Sequence, residues 1–319
     1  MTYKKSQELT GRIDGEENNL LRIHQIINYI NLDEEEIILS PSEKGVIFLE
    51  FAVDEGVKRN KGREGAALGS SAICKALANL PVHFEDKKLF HAGQIICHNG
   101  NLEETQKELG FYVEKILKQN CLPIILGGGH EVTFGNYLGV KNFHQNKKIG
   151  LINFDSHFDI RPLEEEIGAT SGNSFWQIAN NCRQKMESFN YLALGIQKIS
   201  NTKLLFEIAD DFGADYVFGD EFTFENKLNL LSRIEKFILD NDIIYLTICM
   251  DVFAAPYAPG VSAPSINGIE PNEIFKSCFD LIVNCGKLIS LDFAETNPHF
   301  DIDNRTAKLA ASLIFRAIS

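Results

Sequence analysis

The sequence lacks the features that mark membrane, secreted and nucleic-acid-binding proteins. No run approaches the roughly 20 apolar residues that a membrane helix needs, and residues 1–19 (MTYKKSQELTGRIDGEENN) contain no apolar core of a signal peptide. Positive charge is also scarce, because 31 Lys and Arg stand against 44 Asp and Glu and no basic stripe could neutralise nucleic-acid phosphates. We therefore expect a cytoplasmic protein that binds neither a membrane nor a nucleic acid.

Cysteines that could form a disulfide framework are missing as well. The seven cysteines are odd in number, irregularly spaced and without a C-x-x-C pair, a pattern typical of reduced thiols. The content of 44% hydrophobic and 24% charged residues is that of a globular protein. A chain of 319 residues is long enough for one large α/β domain.

Short apolar runs alternate with longer amphipathic segments along most of the chain. The runs are rich in β-branched or aromatic residues, as buried strands are, and lie at 45–53, 122–128, 148–155, 191–196, 243–251 and 287–295, with a weaker one at 215–220. Helical patterns lie at 65–80, 101–119, 272–285 and 304–318. The alternation predicts an α/β fold in which helices cover both faces of a mostly parallel sheet.

No linker, repeat or low-complexity tract interrupts this pattern, so we predict one domain over residues 41–319. Residues 1–40 are acidic and helix-prone, and the alternation does not explain them. We expect this lead-in segment to pack on the domain.

Polar clusters follow several predicted strands at their carboxyl ends, where open α/β sheets bind ligands. GGGH follows the strand at 122–128, DSHFD the strand at 148–155, CMD ends the strand at 243–251, and DFAETNP closes the one at 287–295. Distant segments are thereby predicted to build one site at one edge of the sheet.

The residues of these clusters are candidates for metal ligands. Side chains at alternate positions of an extended segment share one face, and six ligand side chains are expected to converge: His130, Asp155, His157, Asp159, Cys249 and Asp251. This is too many for one tetrahedral zinc ion, but it fits two divalent ions that activate a bridging water as hydroxide. The mainly oxygen and nitrogen donors favour a harder ion such as Mn²⁺.

Other interpretations of the same motifs remain open at this point. A calcium loop would need glycine where Ile160 stands, and a helix before it. A phosphate cradle at LGGGHEVTFG lacks a following GK[ST], and Val132 occupies the third glycine position of a dinucleotide motif. His130 alone could be a core or surface histidine, and the carboxylates could cluster without any metal.

The order and spacing of these motifs resemble the ureohydrolase family of arginases and agmatinases. The resemblance covers about residues 45 to 319 and rests on GGGH, D-x-H-x-D, the aspartate-bearing segment 247–251 and ETNP. Within the family, four segments are similar to the formimidoylglutamase branch: GVKRNKGREGA (56–66), GGGHEVTFG (127–135), GIQKISNT (195–202) and APGVSAP (258–264).

The resemblance implies a single-domain, three-layer α/β/α fold with a dinuclear manganese centre. It assigns one ion to His130, Asp155, Asp159 and position 249, and the other to His157, Asp155, Asp251 and position 249. It also implies that Glu295 faces the cationic amidine or guanidine of the substrate, which a carboxylate suits. We expect Asp159 to be catalytic as well, by assisting proton transfer to the departing amine.

Three departures from the arginase pattern bear on specificity and metal binding. Arg161 replaces a small amide residue, either as a clamp for a substrate carboxylate or as a solvated loop residue. TSGN (170–173) matches the loop that contacts the amino-acid end of the substrate, which implies substrate-binding roles for Ser171 and Asn173, but Phe175 stands where arginases have histidine. Cys249 stands where arginases have the bridging aspartate, and three interpretations remain open. Cys249 could be a thiolate bridge between the ions, a small buried residue that leaves one ion weakly held, or the sign of a subgroup that works with a single metal ion.

The predicted activity is hydrolysis of N-formimidoyl-L-glutamate to L-glutamate and formamide, a step of histidine degradation, by a metal-bridging hydroxide. The alternatives are another amidino or guanidino hydrolase of the family and a non-catalytic member with an impaired metal site. The expected partner is a small-molecule substrate. Relatives commonly form oligomers, so homo-oligomers are compatible with the sequence, but no segment specifies an interface.

Overall fold

The computed structural model describes residues 3–5, 7–40 and 43–319. Within these ranges ten strands form one sheet, in the order β1-β4-β3-β5-β10-β9-β6-β7-β8, with β2 paired to β4 off this path. All pairs are parallel except β1 with β4. The strands are β1 (Tyr3–Lys4), β2 (Asn28–Tyr29), β3 (Lys44–Ala52), β4 (Lys87–Ile96), β5 (Cys121–Leu126), β6 (Ile149–Phe154), β7 (Asn190–Ile196), β8 (Asp215–Phe218), β9 (Ile243–Cys249) and β10 (Leu288–Ala294).

Helices cover both faces of this sheet. They are α1 (Ile23–Ile26), α2 (Glu55–Arg59), α3 (Gly69–Ala78), α4 (Leu102–Lys118), α5 (Val132–Phe143), α6 (Ser174–Gln184), α7 (Lys203–Asp211), α8 (Lys227–Leu239), α9 (Glu273–Val283) and α10 (Arg305–Ile318). Helices α3, α8, α9 and α10 contribute to one apolar core and α4 to α7 to the other. The predicted three-layer α/β/α architecture with a mostly parallel sheet is confirmed.

The central strands are buried on both faces because their sequences are continuously apolar. Every residue of β6 and β9 is buried, as expected for strands that lie between two helical layers. Strand β4 was not predicted, because His91, Gly93 and Gln94 interrupt its apolar run. In the part of the chain that the structure describes, no helix is both long and apolar enough to cross a bilayer.

The described residues of the lead-in segment contact the sheet and its helices. Tyr3 belongs to β1, its ring stacks on Tyr112 at 4.4 Å between centroids, and its hydroxyl donates to the carbonyl of Ala92. Ile23 is completely buried in the core shared with α3 and α10. Residues 41–42, where the domain was predicted to begin, lie outside the described residues.

Candidate active site

Four neighbouring strands bring the sequence motifs together. Strands β5, β10, β9 and β6 are adjacent in the sheet and parallel, so their carboxyl ends meet at one edge. His130 follows β5 after a glycine run, Asp155 follows β6 directly, Cys249 is the last residue of β9 and Glu295 follows β10. The predicted convergence of distant segments at this edge is present in the structure.

The glycine run before His130 is needed because the backbone passes very close to two neighbouring strands. A β-carbon on Gly128 would lie 1.6 Å from the carbonyl oxygen of Val53, and one on Gly127 would lie 2.3 Å from that of Phe293. The same close approach lets the N–H of Gly127 donate to Phe293 at 2.8 Å. These contacts carry the chain to His130 at the centre of the site.

The first group of candidate ligands surrounds the Nδ1 atom of His130. This atom lies 2.9 Å from Asp155 Oδ2 and 2.8 Å from Asp159 Oδ2, yet it forms no hydrogen bond of acceptable geometry. The ligand atoms of His130, Asp155 and Cys249 all lie within 4.8 Å of one another, and all three residues are buried. Such a convergence of donor atoms is the arrangement that a metal ion requires.

A hydrogen-bond relay orients the His130 ring. The hydroxyl of Thr247 donates to Asp292 Oδ1 at 2.5 Å, so Thr247 Oγ1 is the acceptor for His130 Nε2–H at 3.0 Å. Asp292 is completely buried and also accepts from Asn136 Nδ2 at 2.9 Å. A proton held on Nε2 leaves the Nδ1 lone pair directed at the carboxylates, which is the orientation that a histidine ligand needs.

Sequence reasoning missed this relay, although a signal for it was present. Asp292 interrupts the apolar strand LISLDFA, and Thr247 shares a face of β9 with Cys249 at a spacing of two. An aspartate in the middle of a strand buried on both faces needs hydrogen-bond donors around it. That requirement could have identified the residue as a support of the site.

The second group of candidate ligands lies around His157. Its Nδ1 atom is 3.3 Å from Asp155 Oδ1 and 3.2 Å from Asp251 Oδ2. The ligand atoms of these three residues also lie within 4.8 Å of one another. Asp251 Oδ1 is buried and has no hydrogen-bond partner. Asp155 belongs to both groups, which is the position of a bridging ligand.

The charges at this edge oppose one another in the absence of a cation. Burial raises the pKa of Asp251 to about 6, with a contribution from Asp155, and burial with the same neighbour raises the pKa of Asp159. Burial and the surrounding carboxylates, Asp155 foremost, also raise the pKa of the Cys249 thiol well above its usual value. Burial would lower the pKa of His130, but Asp155 and Asp159 outweigh it and raise that pKa. The site therefore favours added positive charge, and its donors fit divalent metal ions.

A cavity of about 320 Å³ opens above these groups and is called the strand-end cavity below. It is lined by Asn60, Lys61, Gly62, Arg63, His157, Asp159, Arg161, Ser171, Asn201, Leu205, Cys249, Asp251, Ser262, Ala263 and Glu295. Asp159 and Glu295 have left-handed backbone conformations, with φ of 49° and 67°. Strained residues of this kind occur where the surrounding structure holds a functional side chain in place.

Glu295 presents an unpaired carboxylate oxygen beside the candidate ligands. Its backbone N–H donates to the carbonyl of Gly128 at 2.8 Å, and its Oε1 atom accepts from the His130 N–H at 3.0 Å. The Oε2 atom is buried without a partner. Burial raises the pKa of Glu295 well above its usual value, and Glu131 and Asp251 add to the effect. A cationic group in the cavity would satisfy this carboxylate.

The predicted substrate-binding residues do not all reach the cavity. Arg161 and Ser171 line it, whereas the side chain of Asn173 accepts from the Thr170 N–H and donates to the Gly168 carbonyl, within its own loop. Asn173 faces an adjoining pocket instead. Phe175 is buried and packs edge-on against the His130 ring, with centroids 6.0 Å apart, so this position is apolar packing.

The comparisons with known proteins agree with this geometry. The model of the arginase family matches residues 44–319, and the chain belongs to the arginase family, as the motifs predicted. It is 46% identical to the formimidoylglutamase of Clostridium tetani (strain Massachusetts / E88), over 100% of this chain and 96% of that protein. It is 40% identical to the formimidoylglutamase of Geobacillus sp. (strain WCH70), over 99% and 96% of the two chains. A crystal structure of Trypanosoma cruzi formiminoglutamase with Mn²⁺ superposes with a TM-score of 0.77 at 23% identity, over 91% of this chain and 97% of that one.

Proposed function

We propose that this protein is a hydrolase of a linear amidine that converts N-formimidoyl-L-glutamate and water into L-glutamate and formamide. The bond from the formimidoyl carbon to the glutamate nitrogen is broken, a carbon–oxygen bond is formed, and the glutamate nitrogen gains a proton. The observation that carries the proposal is the strand-end cavity, which combines buried carboxylates for a cationic amidine with Arg161 for an anionic group. The likeness to two curated formimidoylglutamases over nearly the whole chain supports it.

We propose two Mn²⁺ ions as the cofactor, in line with the Mn²⁺ in the T. cruzi relative. One ion would be held by His130, Asp155, Asp159 and Cys249. The other would be held by His157, Asp155 and Asp251, with Cys249 added as the resemblance to the family implies. Bound there, the ions would supply Lewis acidity and lower the pKa of water to give a nucleophile near neutral pH.

The chain's own residues have separate tasks in this proposal. The free Oε2 atom of Glu295 holds the amidinium, since an opposite charge is the strongest hydrogen-bond partner for that group. Asp159 reaches the cavity with 13% of its side chain exposed, accepts the proton of the attacking water on a carboxylate oxygen and passes it to the departing glutamate nitrogen. Asp155 and Thr247 keep the His130 ring in place.

Arg161 and Ser171 are the proposed contacts of the substrate carboxylates. The guanidinium of Arg161 has no hydrogen-bond or ion-pair partner among the described residues, and its planar fork matches a carboxylate. Asn173 acts through the loop that it holds, because its amide is used within residues 168–177. An unpaired arginine at the entrance favours a dicarboxylic substrate over a cation such as agmatine.

The direct test is an assay of purified protein loaded with Mn²⁺. We expect formamide and L-glutamate in equal amounts from N-formimidoyl-L-glutamate. Urea from arginine or agmatine, with no formamide from the glutamate derivative, would reject the proposed substrate. Fewer than one divalent ion per chain after dialysis against Mn²⁺, together with no turnover, would instead indicate a non-catalytic member of the family.

A further inference from the structure

Lys61 has an unusual backbone conformation at the end of α2. Its N–H donates to the carbonyl of Lys58 at 2.9 Å, and the N–H of Gly62 donates to the carbonyl of Val57 at 2.8 Å. This pair of hydrogen bonds is the common helix-terminating arrangement that places one residue in the left-handed region, and glycine usually occupies that position. Here the position is held by Lys61, with φ of 60°.

A lysine in this conformation is strained because its β-carbon crowds the following carbonyl oxygen. The chain carries a glycine one residue later, at Gly62, so the sequence places the larger residue at the position that glycine suits better. Strained residues cluster at functional sites, but Met186 after α6 has the same conformation and is exposed. The location of Lys61 is therefore what indicates a task for its side chain.

Lys61 lines the strand-end cavity together with Arg161, and both also line the adjoining pocket. Their segments are in contact across Gly172, since a β-carbon there would lie 3.0 Å from Asn60 Nδ2 and 3.2 Å from Arg161 Cδ. Among the described residues, neither cationic side chain has an ion-pair or hydrogen-bond partner. Two unpaired cations beside one cavity are notable in a chain of net charge −13.

The third cation of the cavity is engaged elsewhere. Arg63 donates from Nε to the carbonyl of Ser262 at 2.9 Å, and its guanidinium lies 3.9 Å from the centre of the Phe300 ring. These contacts join the loop after α2 to the segments that carry Ser262 and Phe300. Arg63 therefore fixes the position of the loop, and Lys61 and Arg161 are the cations left for an anionic ligand.

We propose that Lys61 is a specificity residue that binds the γ-carboxylate of the substrate, while Arg161 binds the α-carboxylate. This inference rests on the proposed function, which supplies a substrate with two carboxylates. The formimidoyl group is attached to the α-nitrogen and must reach Asp159 and Glu295, so the neighbouring α-carboxylate lies close to Asp159, which Arg161 follows by two residues in the chain. The γ-carboxylate lies three carbons farther along the substrate, away from Asp159, where Lys61 lines the same cavity.

The test combines charge-removing variants with a substrate that lacks one charge. Lys61→Gln is compared with the matched control Lys58→Gln, which removes the same charge from the same helix end but outside the cavity. The substrates are N-formimidoyl-L-glutamate and its γ-amide, N-formimidoyl-L-glutamine. We expect Lys61→Gln to lower kcat/KM for the diacid roughly three- to tenfold, mainly through KM, as fits a partly exposed charged contact. For the amide, and for Lys58→Gln with either substrate, the change should stay below about twofold.

A second measurement separates this inference from the proposed function. Calorimetric binding of L-glutamate to the Mn²⁺-loaded protein should weaken by a similar factor in Lys61→Gln and stay unchanged in Lys58→Gln. If wild-type protein released no formamide, the proposed substrate would fail, and the glutamate titration would still decide the role of Lys61. Equal glutamate affinity in wild type and Lys61→Gln, no glutamate binding at all, or an equal loss of kcat/KM on diacid and amide would overturn the assignment.

Replacement by the residue that the backbone prefers tests the strain argument. Lys61→Gly should show the same loss on the diacid as Lys61→Gln, with a melting temperature equal to or above that of the wild type. A protein that is less stable than wild type after Lys61→Gly would contradict the view that the lysine is kept at the expense of stability.

Discussion

Replacing Cys249 by aspartate should change stability in opposite directions with and without metal. The ligand atoms of Cys249, His130 and Asp155 lie within 4.8 Å of one another, so a new carboxylate would be repelled by Asp155 by about 3.5 kcal/mol or more at an effective dielectric constant of 20. The loss of folding free energy at pH 7 cannot exceed about 4 kcal/mol, because the new carboxyl group becomes protonated instead. That limit is the cost of raising its pKa from about 3.9 to the pH of the experiment. A divalent ion between the carboxylates reverses the sign of this interaction.

The expected result is therefore a melting temperature that falls by about 5 to 6 °C in EDTA. Mn²⁺ affinity should rise about tenfold or more, equivalent to about 1.4 kcal/mol, because the carboxylate is a harder donor than sulfur. Thermal scans in EDTA and in a Mn²⁺ series, with metal content measured after dialysis, give both quantities.

Cys249→Asn is the matched control, since it has the shape of aspartate without the charge. It should lose Mn²⁺ affinity and show little of the change in EDTA. A carboxylate variant with the Mn²⁺ affinity and the EDTA stability of wild type would show that position 249 does not face the metal ions. An experimental structure with Cys249 Sγ more than about 4 Å from every metal ion, against about 2.3 Å for a zinc–thiolate bond, would refute the ligand assignment directly.

Two further substitutions test the substrate and metal contacts separately. Arg161→Ala should lower kcat/KM roughly 10- to 150-fold, which corresponds to the loss of a charge-assisted contact of about 1.5–3 kcal/mol. Metal content and melting temperature should stay unchanged. A change of kcat/KM below twofold would show that Arg161 is a solvated loop residue. Thr247→Val should weaken Mn²⁺ binding about 10- to 100-fold, because it removes the acceptor of His130 and a donor to Asp292. In that variant, Mn²⁺ titration is the measurement, and affinity equal to that of Thr247→Ser would mean that the relay does not orient the ring.

The predictable part of the structure follows from local patterns. Continuous apolar runs identified β5, β6, β9 and β10, and the polar residues that follow them predicted one site, because parallel strands end at a common edge. Strand β4 was not predicted because polar residues interrupt its apolar run. The residues whose contacts make it a strand are distant from it in the sequence. Helix α5 was not predicted, because its first residues belong to the glycine-rich motif GGGHEVTFG, which was considered as a possible phosphate cradle.

The supporting contacts of the site were harder to predict than the candidate ligands. The spacing of Asp155, His157 and Asp159 identified these residues as candidates, although the shared strand face expected for them is absent, because β6 ends at Phe154 and Asp159 has a φ of 49°. The link from His130 through Thr247 to Asp292 joins the segment after β5 to β9 and β10, and its one local sign is the aspartate inside an apolar strand. Asn173 shows the opposite case: its motif suggested a contact with substrate, but the turn uses the amide internally. Sequence spacing locates a residue on an element, and only packing determines which way its side chain turns.

The strand order has a consequence for biosynthesis. Strands β9 and β10 are translated last, yet they lie between β5 and β6 in the middle of the sheet. At about 5–20 residues per second, the ribosome needs roughly 5 to 20 s to proceed from the end of β6 to the start of β9. During that interval the nascent chain exposes two unpaired apolar strand edges, which promote aggregation. The proposed metal ligands Cys249 and Asp251 are also absent until then, so we expect metal to bind only after β9 has been synthesised.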